Sequence, residues 1–462
     1  MSIFQEISQY GSQTAIITEA GEKISYNQLI GDSEIYAQCM PSRCLIFIIC
    51  SNTYEAIVGY VGALRNHIVP VLIHEGMDSE LYSKLLTSYW PQYIFKPHQQ
   101  EVIGEEVVFK IGQYDLVKTS YIVDYTLNEE LALLLTTSGS TGSPKLVRQS
   151  YNNLLANAES IVEYLSISNT DRPITTLPMH YTYGLSIINS HLICGASIIL
   201  TNKSLMEKEF WELLKSEQAT TFGGVPYSYE ILQKLRFDKM ELPSLKLLTQ
   251  AGGKLSEPLA MYFATLCREK NIKFYIMYGQ TEATARMAYL PCEYVLKKPT
   301  SIGIAIPGGS FQLLDSNNQV IQNACTTGEL IYKGENVTLG YACHRFDLQR
   351  GDDNKGILYT GDMAKRDEED FYYIVGRKKR FLKLFGNRVN LDELEAILKA
   401  KGFDCACGGQ DDHLIVYTTR EDKETIRHSI TQHTSIVPGG FEVKQIEKIP
   451  RNESGKILYS EL

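Results

Sequence analysis

The sequence predicts an α/β protein, with a large N-terminal domain of α/β layers over residues 1–378 and a small α+β domain over 379–462. Three observations predict it. Short apolar runs alternate with amphipathic stretches through most of the chain, as strands and helices do in layered α/β folds. One apolar run, Leu131–Leu135, leads directly into a Gly/Ser/Thr-rich loop and then a helical stripe. Beyond about Gly328 the texture changes to short β-like segments with frequent Gly and Asp. At 462 residues the chain exceeds what one hydrophobic core supports, so two or three domains are expected.

The elements follow in order. Cys44-Leu-Ile-Phe-Ile-Ile-Cys50 is far shorter than the roughly 20 residues a membrane span needs, and it reads as a buried parallel strand. After the loop that follows Leu135, the residues Leu154, Leu155, Ile161, Val162 and Leu165 fit one helical stripe. Ile198–Leu200, Leu245–Leu248 and Phe274–Met277 read as further strands, each ending near Gly, Thr or Tyr. Ligands of parallel sheets sit beyond the carboxyl ends of strands, so those loops are where chemistry is expected. Further on, Asn390-Leu-Asp-Glu393 reads as a helix start, a variant of the capping box, with the helix running to about Lys399. Leu414–Thr418 reads as a strand of the small domain.

Composition narrows the function classes. Hydrophobic residues make up 44% and charged residues 21%, the balance of an ordinary globular protein. The net charge of −9 gives no general attraction to nucleic acid or an anionic membrane, so neither is an expected partner. A polyphosphate would have to be held locally by backbone N–H groups, a few cations and a metal ion. The opening Met1-Ser-Ile-Phe-Gln-Glu6 has no basic segment followed by an apolar stretch, so no signal peptide is expected and a cytoplasmic location is. Of the ten cysteines no pair has C-x-x-C spacing. Cys405-Ala-Cys407 with His413 lacks a second ligand pair for zinc, so reduced thiols are expected.

The most informative segment is Thr136-Thr137-Ser138-Gly139-Ser140-Thr141-Gly142-Ser143-Pro144-Lys145. Glycines let successive N–H groups turn toward one anion, hydroxyls add donors without bulk, and Lys145 adds a mobile charge. The spacing fits neither the Walker pattern nor the dinucleotide fingerprint. Further segments follow in a fixed order: Tyr278-Gly279-Gln280-Thr281-Glu282, Gly328-Glu-Leu with Gly334 and Gly340-Tyr341, and Tyr359-Thr-Gly-Asp362 with Gly376-Arg377. After these come Lys383, Gly386, Arg388-Val389 and Glu393-Leu-Glu395, and finally Pro450-Arg-Asn-Glu-Ser-Gly-Lys456. Ile24-Ser-Tyr-Asn-Gln-Leu29 opens the series. Together they resemble the adenylate-forming superfamily of acyl-CoA synthetases, aryl-CoA ligases, peptide-synthetase adenylation domains and luciferases, over almost the whole chain.

The resemblance implies an ATP- and Mg²⁺-dependent ligase that activates a carboxylic acid as an acyl-adenylate and passes the acyl group to a thiol. It implies that the small C-terminal domain is mobile. Thr137, Ser138, Gly139, Ser140, Thr141, Gly142 and Lys145 would cradle phosphate. Thr281 would donate to the α-phosphate, and Glu282, a hard oxygen ligand, would hold Mg²⁺. Tyr278, with Gly279 and Gln280 after it, would stack on adenine, whose other face Gly252 and Gly253 would cover. Asp362 would accept the ribose hydroxyls, with Arg377 beside it. Lys456 would be the catalytic cation bridging carboxylate and α-phosphate. Lys379 falls at the family's hinge and Gly386 at its thiol channel.

Leu177-Pro-Met-His180-Tyr181-Thr182-Tyr183-Gly184 resembles the segment at the acid's entrance. The family's aromatic or His gate falls on Tyr181, with His180 one place earlier, so either side chain is a candidate to meet the carboxylate. Where domains selecting α-amino acids carry Asp, this chain has Thr182. A buried ammonium without a carboxylate is costly, so an acid lacking an α-amino group is expected. Val225-Pro-Tyr-Ser-Tyr229 and Ala283–Ala288 are expected to line the same pocket. The expected thiol is CoA. The alternatives are the phosphopantetheine of a discrete acyl carrier protein, loaded with an acyl or amino acid, and a non-catalytic nucleotide- or acyl-binding protein.

Overall fold

The computed structural model describes residues 3–98, 106–136, 145–378, 380–384, 387–410, 412–433, 439, 441–451 and 455–462. The chain forms two compact units. The first comprises Met1–Thr300, Ala305–Ser310 and Lys333–Leu358, and the second Ser301–Ile304, Phe311–Tyr332 and Tyr359–Leu462.

The first unit is built on two sheets. One runs in the order Gly340–Ala342, Leu146–Ser150, Leu131–Thr136, Val69–His74, Leu45–Cys50, Tyr93–Pro97, Tyr114–Lys118 and Glu106–Ile111. Its centre is parallel, and Leu45–Cys50 is buried at every position, which accounts for the unbroken apolar run in sequence. The second sheet runs Ile304–Ala305, Ala288–Leu290, Lys273–Tyr278, Leu247–Gln250, Thr221–Gly224, Pro173–Ile174, Ile198–Ile199, Thr14–Ile17 and Lys23–Ser25. From Lys273–Tyr278 through Thr14–Ile17 every neighbouring pair is parallel.

Helices pack with both sheets into one core, in which Ile46 and Ile48, Ile16 and Ile198, and the helical residues Ala56, Leu64, Leu154 and Leu185 share a cluster. Helix Tyr54–Arg65 is apolar around most of its circumference because it is enclosed. A Cβ on its Gly62 would lie 2.7 Å from the Ser33 carbonyl oxygen of helix Tyr26–Gln38, so only glycine lets these helices approach so closely. Helix Tyr151–Leu165, expected from its apolar stripe, starts at a reciprocal cap. Asn153 N–H donates to Ser150 Oγ at 3.0 Å, and the Asn153 side chain accepts from Ser150 N–H at 2.8 Å. Removing such a cap costs about 1 kcal/mol.

The second unit contains most of a four-stranded sheet, Ser310–Leu314, Gly328–Lys333, Ile357–Arg366 and Tyr372–Arg377, of which Ser310, Lys333, Ile357 and Leu358 are assigned to the first unit. After it come the hairpin Phe381–Leu384/Asn387–Asn390, helix Leu391–Ala400, strands Cys405–Gln410 and His413–Thr418, helix Lys423–His433 and strand Phe441–Gln445. Leu382, Leu394, Leu398, Cys407, Val416, Ile426 and Val443 form a separate core among these elements. All ten cysteines are free thiols. Among the described residues no helix is long and apolar enough to cross a membrane.

Candidate functional site

The loops that carry the expected site chemistry leave the carboxyl ends of neighbouring parallel strands. Gly224 pairs with Gln250, and Gln250 with Ile276, so Val225, Gly252–Gly253 and Tyr278–Glu282 emerge at one end of the sheet. Pro173–Ile174 pairs with Thr221–Gly224 and runs toward the same end, where His180 and Tyr181 follow. In the other sheet Leu131–Thr136 is parallel to Val69–His74, and its carboxyl end leads into the expected phosphate loop. Thr137, Ser138, Gly139, Ser140, Thr141 and Gly142 lie outside the described residues, as do Lys379 and Gly386.

Lys145, on the far side of that loop, is described. Its Nζ sits 3.2 Å from the centroid of the Tyr341 ring. The Tyr341 hydroxyl donates to Glu282 Oε1 at 2.7 Å. One phenol thus faces the expected phosphate lysine with its ring and the expected metal carboxylate with its hydroxyl. Burial, then the Glu282 charge, pushes the Tyr341 phenol well above its ordinary pKa, so it stays a neutral donor. Gln149 Nε2 donates to the Thr281 carbonyl at 3.4 Å, and Thr338 N–H donates to the Glu282 carbonyl at 3.0 Å.

Tyr341 is fixed by a residue that sequence reasoning missed. Gly340–Ala342 pairs antiparallel to Leu146–Ser150, with Gly340 opposite Arg148. Arg148 is fully buried, and its guanidinium donates to the carbonyls of Tyr341 (3.1 Å), Leu339 (2.7 Å), Arg350 (2.5 Å) and Gly351 (3.1 Å). It also pairs with Asp353 at 2.6 Å. Five acceptors satisfy a buried cation that would otherwise carry a heavy desolvation cost. The basic residue inside an apolar strand was the available signal, but its partners lie about 200 residues away.

Gly279 and Gly252 are glycines for steric reasons. A Cβ on Gly279 would lie 1.6 Å from the Ala285 carbonyl oxygen. Gly252 has φ +85°, and its Cβ would meet the Tyr181 hydroxyl at 2.5 Å, while a Cβ on Gly253 would meet Pro226 at 3.1 Å. The residues expected at adenine and at the acid gate are therefore neighbours. Tyr278 is half-buried at its strand end, and its hydroxyl accepts from Gln280 Nε2 at 3.3 Å.

At the acid segment, Tyr181 precedes helix Thr182–Leu192, and burial pushes its phenol up to about 12. The His180 ring lies 4.6 Å from that of His74, a residue not anticipated from sequence. Burial, aided by His74, lowers the His180 pKa to about 3, so this imidazole is neutral at ordinary pH, and its Nδ1 is buried without a partner. A small cavity is bounded by Gln149, Asn157, Thr182, Ser186, Asn189 and Thr284. Thr182 and Thr284, the latter from the segment Ala283–Ala288, border this cavity, and none of Val225–Tyr229 does.

In the second unit Asp362 and Arg377 face each other on paired strands at 3.3 Å, and Asp362 is only 4% exposed. Lys456 follows Gly455, whose φ is +78°, in the terminal segment where Arg451 pairs with Ile457. Among the described residues no three His, Cys, Asp or Glu side chains cluster as a metal cage. Mg²⁺ is ordinarily held by one or two carboxylates plus substrate phosphates, and Glu282, with one oxygen oriented by Tyr341, fits that requirement.

The family described as AMP-binding enzyme matches residues 3–342. A 2-succinylbenzoate–CoA ligase of Bacillus cereus (strain Q1) is 29% identical over 346 residues, covering 72% of this chain and 70% of the relative. That of Bacillus cytotoxicus is 25% identical over 416 residues, covering 88% and 84%. Among solved structures, the O-succinylbenzoate Coenzyme A synthetase MenE of Bacillus subtilis with AMP superposes with a TM-score of 0.82 at 20% identity, covering 100% of this chain and 98% of that one. ATP-bound MatB from Rhodopseudomonas palustris gives 0.75 at 20% identity, covering 100% and 98%. These structures share the fold.

Proposed function

This chain belongs to the AMP-binding enzyme family, and from that premise we propose that it is an ATP- and Mg²⁺-dependent acid–CoA ligase working through an acyl-adenylate. The observation that supports it most is the convergence of Lys145 and Glu282 on Tyr341, beside Thr281. A mobile cation and a hard carboxylate together suit a nucleotide polyphosphate with its metal.

In the first half-reaction an oxygen of the acid's carboxylate attacks the α-phosphorus, and the bond to pyrophosphate breaks. Lys145 and the N–H groups of Thr137–Gly142 hold the phosphates, and the Thr281 hydroxyl donates to the α-phosphate. Glu282 and phosphate oxygens would hold Mg²⁺, which when bound offsets charge building on the phosphates. Tyr278 stacks on adenine against the backbone of Gly252 and Gly253, with Gly279 and Gln280 completing that turn. Asp362 accepts the ribose hydroxyls beside Arg377. Lys456 neutralises charge shared between the carboxylate and the α-phosphate. In the second half-reaction the CoA thiolate attacks the acyl carbon and AMP leaves. Gly386 lines the thiol's approach, and Lys379 is the pivot between residues 1–378 and 379–462. The CoA ligases among the relatives support CoA as the thiol.

Tyr181 and His180 meet the acid, and Thr182 in place of a carboxylate supports an acid without an α-amino group. The test is pyrophosphate release over a panel of acids, followed by detection of the CoA thioester. Purified protein that binds no ATP and forms no AMP with any acid overturns the reading, and a signal with amino acids alone overturns the Thr182 argument. At the pivot, Lys379→Pro should leave adenylation intact and cut thioester formation by about 10²-fold, the scale of misplacing reacting groups. Equal loss of both steps removes Lys379 from that role.

A further inference from the structure

The turn that carries Thr281 and Glu282 has an unfavourable backbone. The short helical turn Thr281–Ala283 ends at Thr284, with φ +52°, and Ala285 follows with φ +97°. Two successive residues with side chains, one of them β-branched, thus sit at positive φ. Such strain persists only where surrounding contacts over-determine it. Both residues are buried, so neighbouring protein groups and not solvent decide which conformation persists.

The groups that fix it are side-chain amides. Asn336, itself buried, donates through Nδ2 to the Ala283 carbonyl at 2.8 Å and to the Arg286 carbonyl at 2.9 Å. These two residues flank the strained pair, so one amide brackets it. Turning that amide over would set its oxygen against both carbonyls, so its NH₂ faces the turn. In return the Thr284 hydroxyl donates to the Asn336 carbonyl at 2.8 Å. Asn157 Nδ2 gives the Arg286 carbonyl a second donor at 3.0 Å. Asn336 is bracketed in the same manner. Asn153, one turn before Asn157 on helix Tyr151–Leu165, donates through Nδ2 to the carbonyls of Glu335 and Val337 at 2.6 and 2.8 Å. A single donor would satisfy the buried Arg286 carbonyl, and it receives two. The arrangement exceeds what hydrogen-bond satisfaction alone requires.

We propose that Asn336 is a positioning residue for adenylation. By holding the strained turn at Thr284–Ala285, with Asn157 as second support, it fixes where Thr281 and Glu282 meet the α-phosphate and Mg²⁺. This rests on the ligase reading and deepens it. Asn336 acts through the turn and not on the nucleotide. Mg²⁺ demands near-ideal geometry with ligands at about 2.0–2.1 Å, so a carboxylate on a drifting turn holds it poorly. Tyr341 orients the Glu282 carboxylate at Oε1, whereas Asn336 holds the backbone from which that side chain springs.

The test reads ATP binding by the full chain as Mg²⁺ is titrated. In Asn336→Ala the Mg²⁺ concentration for half-maximal ATP binding should rise about tenfold, the scale of losing a group that orients a metal ligand, while ATP affinity without metal stays within about twofold of wild type. Ala285→Gly added to Asn336→Ala should recover part of that shift, since glycine takes φ +97° without penalty and needs no bracket. Asn157→Leu keeps the shape and removes one of the two donors to the Arg286 carbonyl, so it should shift Mg²⁺ dependence the same way by a smaller factor. Circular dichroism and the stoichiometry of ATP binding establish the folded fraction, and losing part of that fraction moves neither a half-saturation point nor its recovery. Wild-type Mg²⁺ dependence in folded Asn336→Ala overturns the proposal and leaves the ligase reading standing, as does a double variant with no recovery. If Asn336→Ala does not fold, Asn157→Leu decides, and an unchanged Mg²⁺ dependence there overturns the proposal. ATP binding by the wild type that ignores Mg²⁺ altogether counts against the ligase reading itself.

Discussion

Two sets of cations, one at the first unit's candidate site and one in the second unit's basic run, have different partners. In the first, Lys145 rests on the Tyr341 ring and Arg286 is surrounded by hydroxyls, a thioether and a ring. In the second, three cations of the basic run are matched by acids. Arg377 faces Asp362, Lys378 faces Glu329 at 2.5 Å, and Arg380 pairs with Asp392 and Glu395 at 2.6 Å each. Read as sequence, Arg377-Lys-Lys-Arg380 is a block of positive charge. Folded, Arg377, Lys378 and Arg380 form a clasp with these acids, which cancels much of their charge. Lys145 and Arg286 have neutral groups as their partners, whereas the run's cations have carboxylates. Elsewhere in the first unit cations also pair with acids: Arg148 with Asp353, Arg65 with Glu34 and Arg345 with Asp124.

We propose Lys456, from its place in the terminal motif, and not the basic run, as the second unit's chemical cation. Lys456→Ala should lower the adenylation rate by about 10²–10³-fold, the scale of losing one preorganised donor, measured as acid-dependent pyrophosphate release. Transfer from preformed acyl-adenylate to CoA should change far less. If Lys378→Ala caused the same loss in adenylation alone, the assignment of the run to structure would fail.

The clasp itself should answer in stability. Arg380 and Glu395 side chains are each 14% exposed. Glu395 also accepts from Cys407 N–H at 2.6 Å and from the Tyr459 hydroxyl at 2.7 Å, and Tyr459 lies under the Arg380 guanidinium at 3.6 Å. Burial raises the Glu395 pKa, with Arg380 opposing the rise. Arg380→Met leaves that carboxylate buried with its countercharge gone, which costs about 3 kcal/mol. Urea unfolding followed by hydrogen exchange in residues 380–445 should locate the loss there. A loss spread evenly over both units would break the comparison.

How much of this was legible in sequence follows the same division. Leu45–Cys50, Leu131–Thr136 and helix Tyr151–Leu165 were readable because burial on two faces, or on one helical stripe, writes itself into local periodicity. Gly279 and Gly252 were reached through the family motifs, and the structure adds their steric reason: a Cβ on Gly279 would strike the Ala285 carbonyl, and Gly252 holds a positive φ against Tyr181. Arg148, Arg286, His74 and the double role of Tyr341 were not. Each acquires meaning from a partner far along the chain, and periodicity carries no trace of which carbonyl or ring that is.

Acid should find the first unit through a buried base. His191 is 1% exposed on helix Thr182–Leu192, its Nδ1 donates to the Ile187 carbonyl at 2.8 Å, and its Nε2 has no partner. Burial lowers its pKa to about 4. The folded value lies below the unfolded value of about 6.5, so its contribution is complete above that pH and is lost as pH falls toward 4. Between pH 7 and pH 5 the wild type should lose about 2 kcal/mol from this group. His191→Gln should flatten that part of the profile, whatever its stability at pH 7. An unchanged slope would mean that His191 does not set it.

The smallest effect bears most directly on how a neutral partner serves a ligand site. Tyr341→Phe keeps the ring beneath Lys145 and removes only the hydroxyl that orients Glu282. Losing a hydrogen bond of this kind behind a metal ligand weakens the metal by about tenfold. The Mg²⁺ concentration for half-maximal ATP binding should rise by that factor, while ATP affinity at saturating Mg²⁺ stays near wild type because Lys145 keeps its platform. Tyr341→Leu, which removes both functions, should lower ATP affinity even when Mg²⁺ saturates. If the two variants shifted Mg²⁺ and ATP dependence in parallel, ring and hydroxyl would not act on separate partners, and Tyr341 would be a packing residue alone.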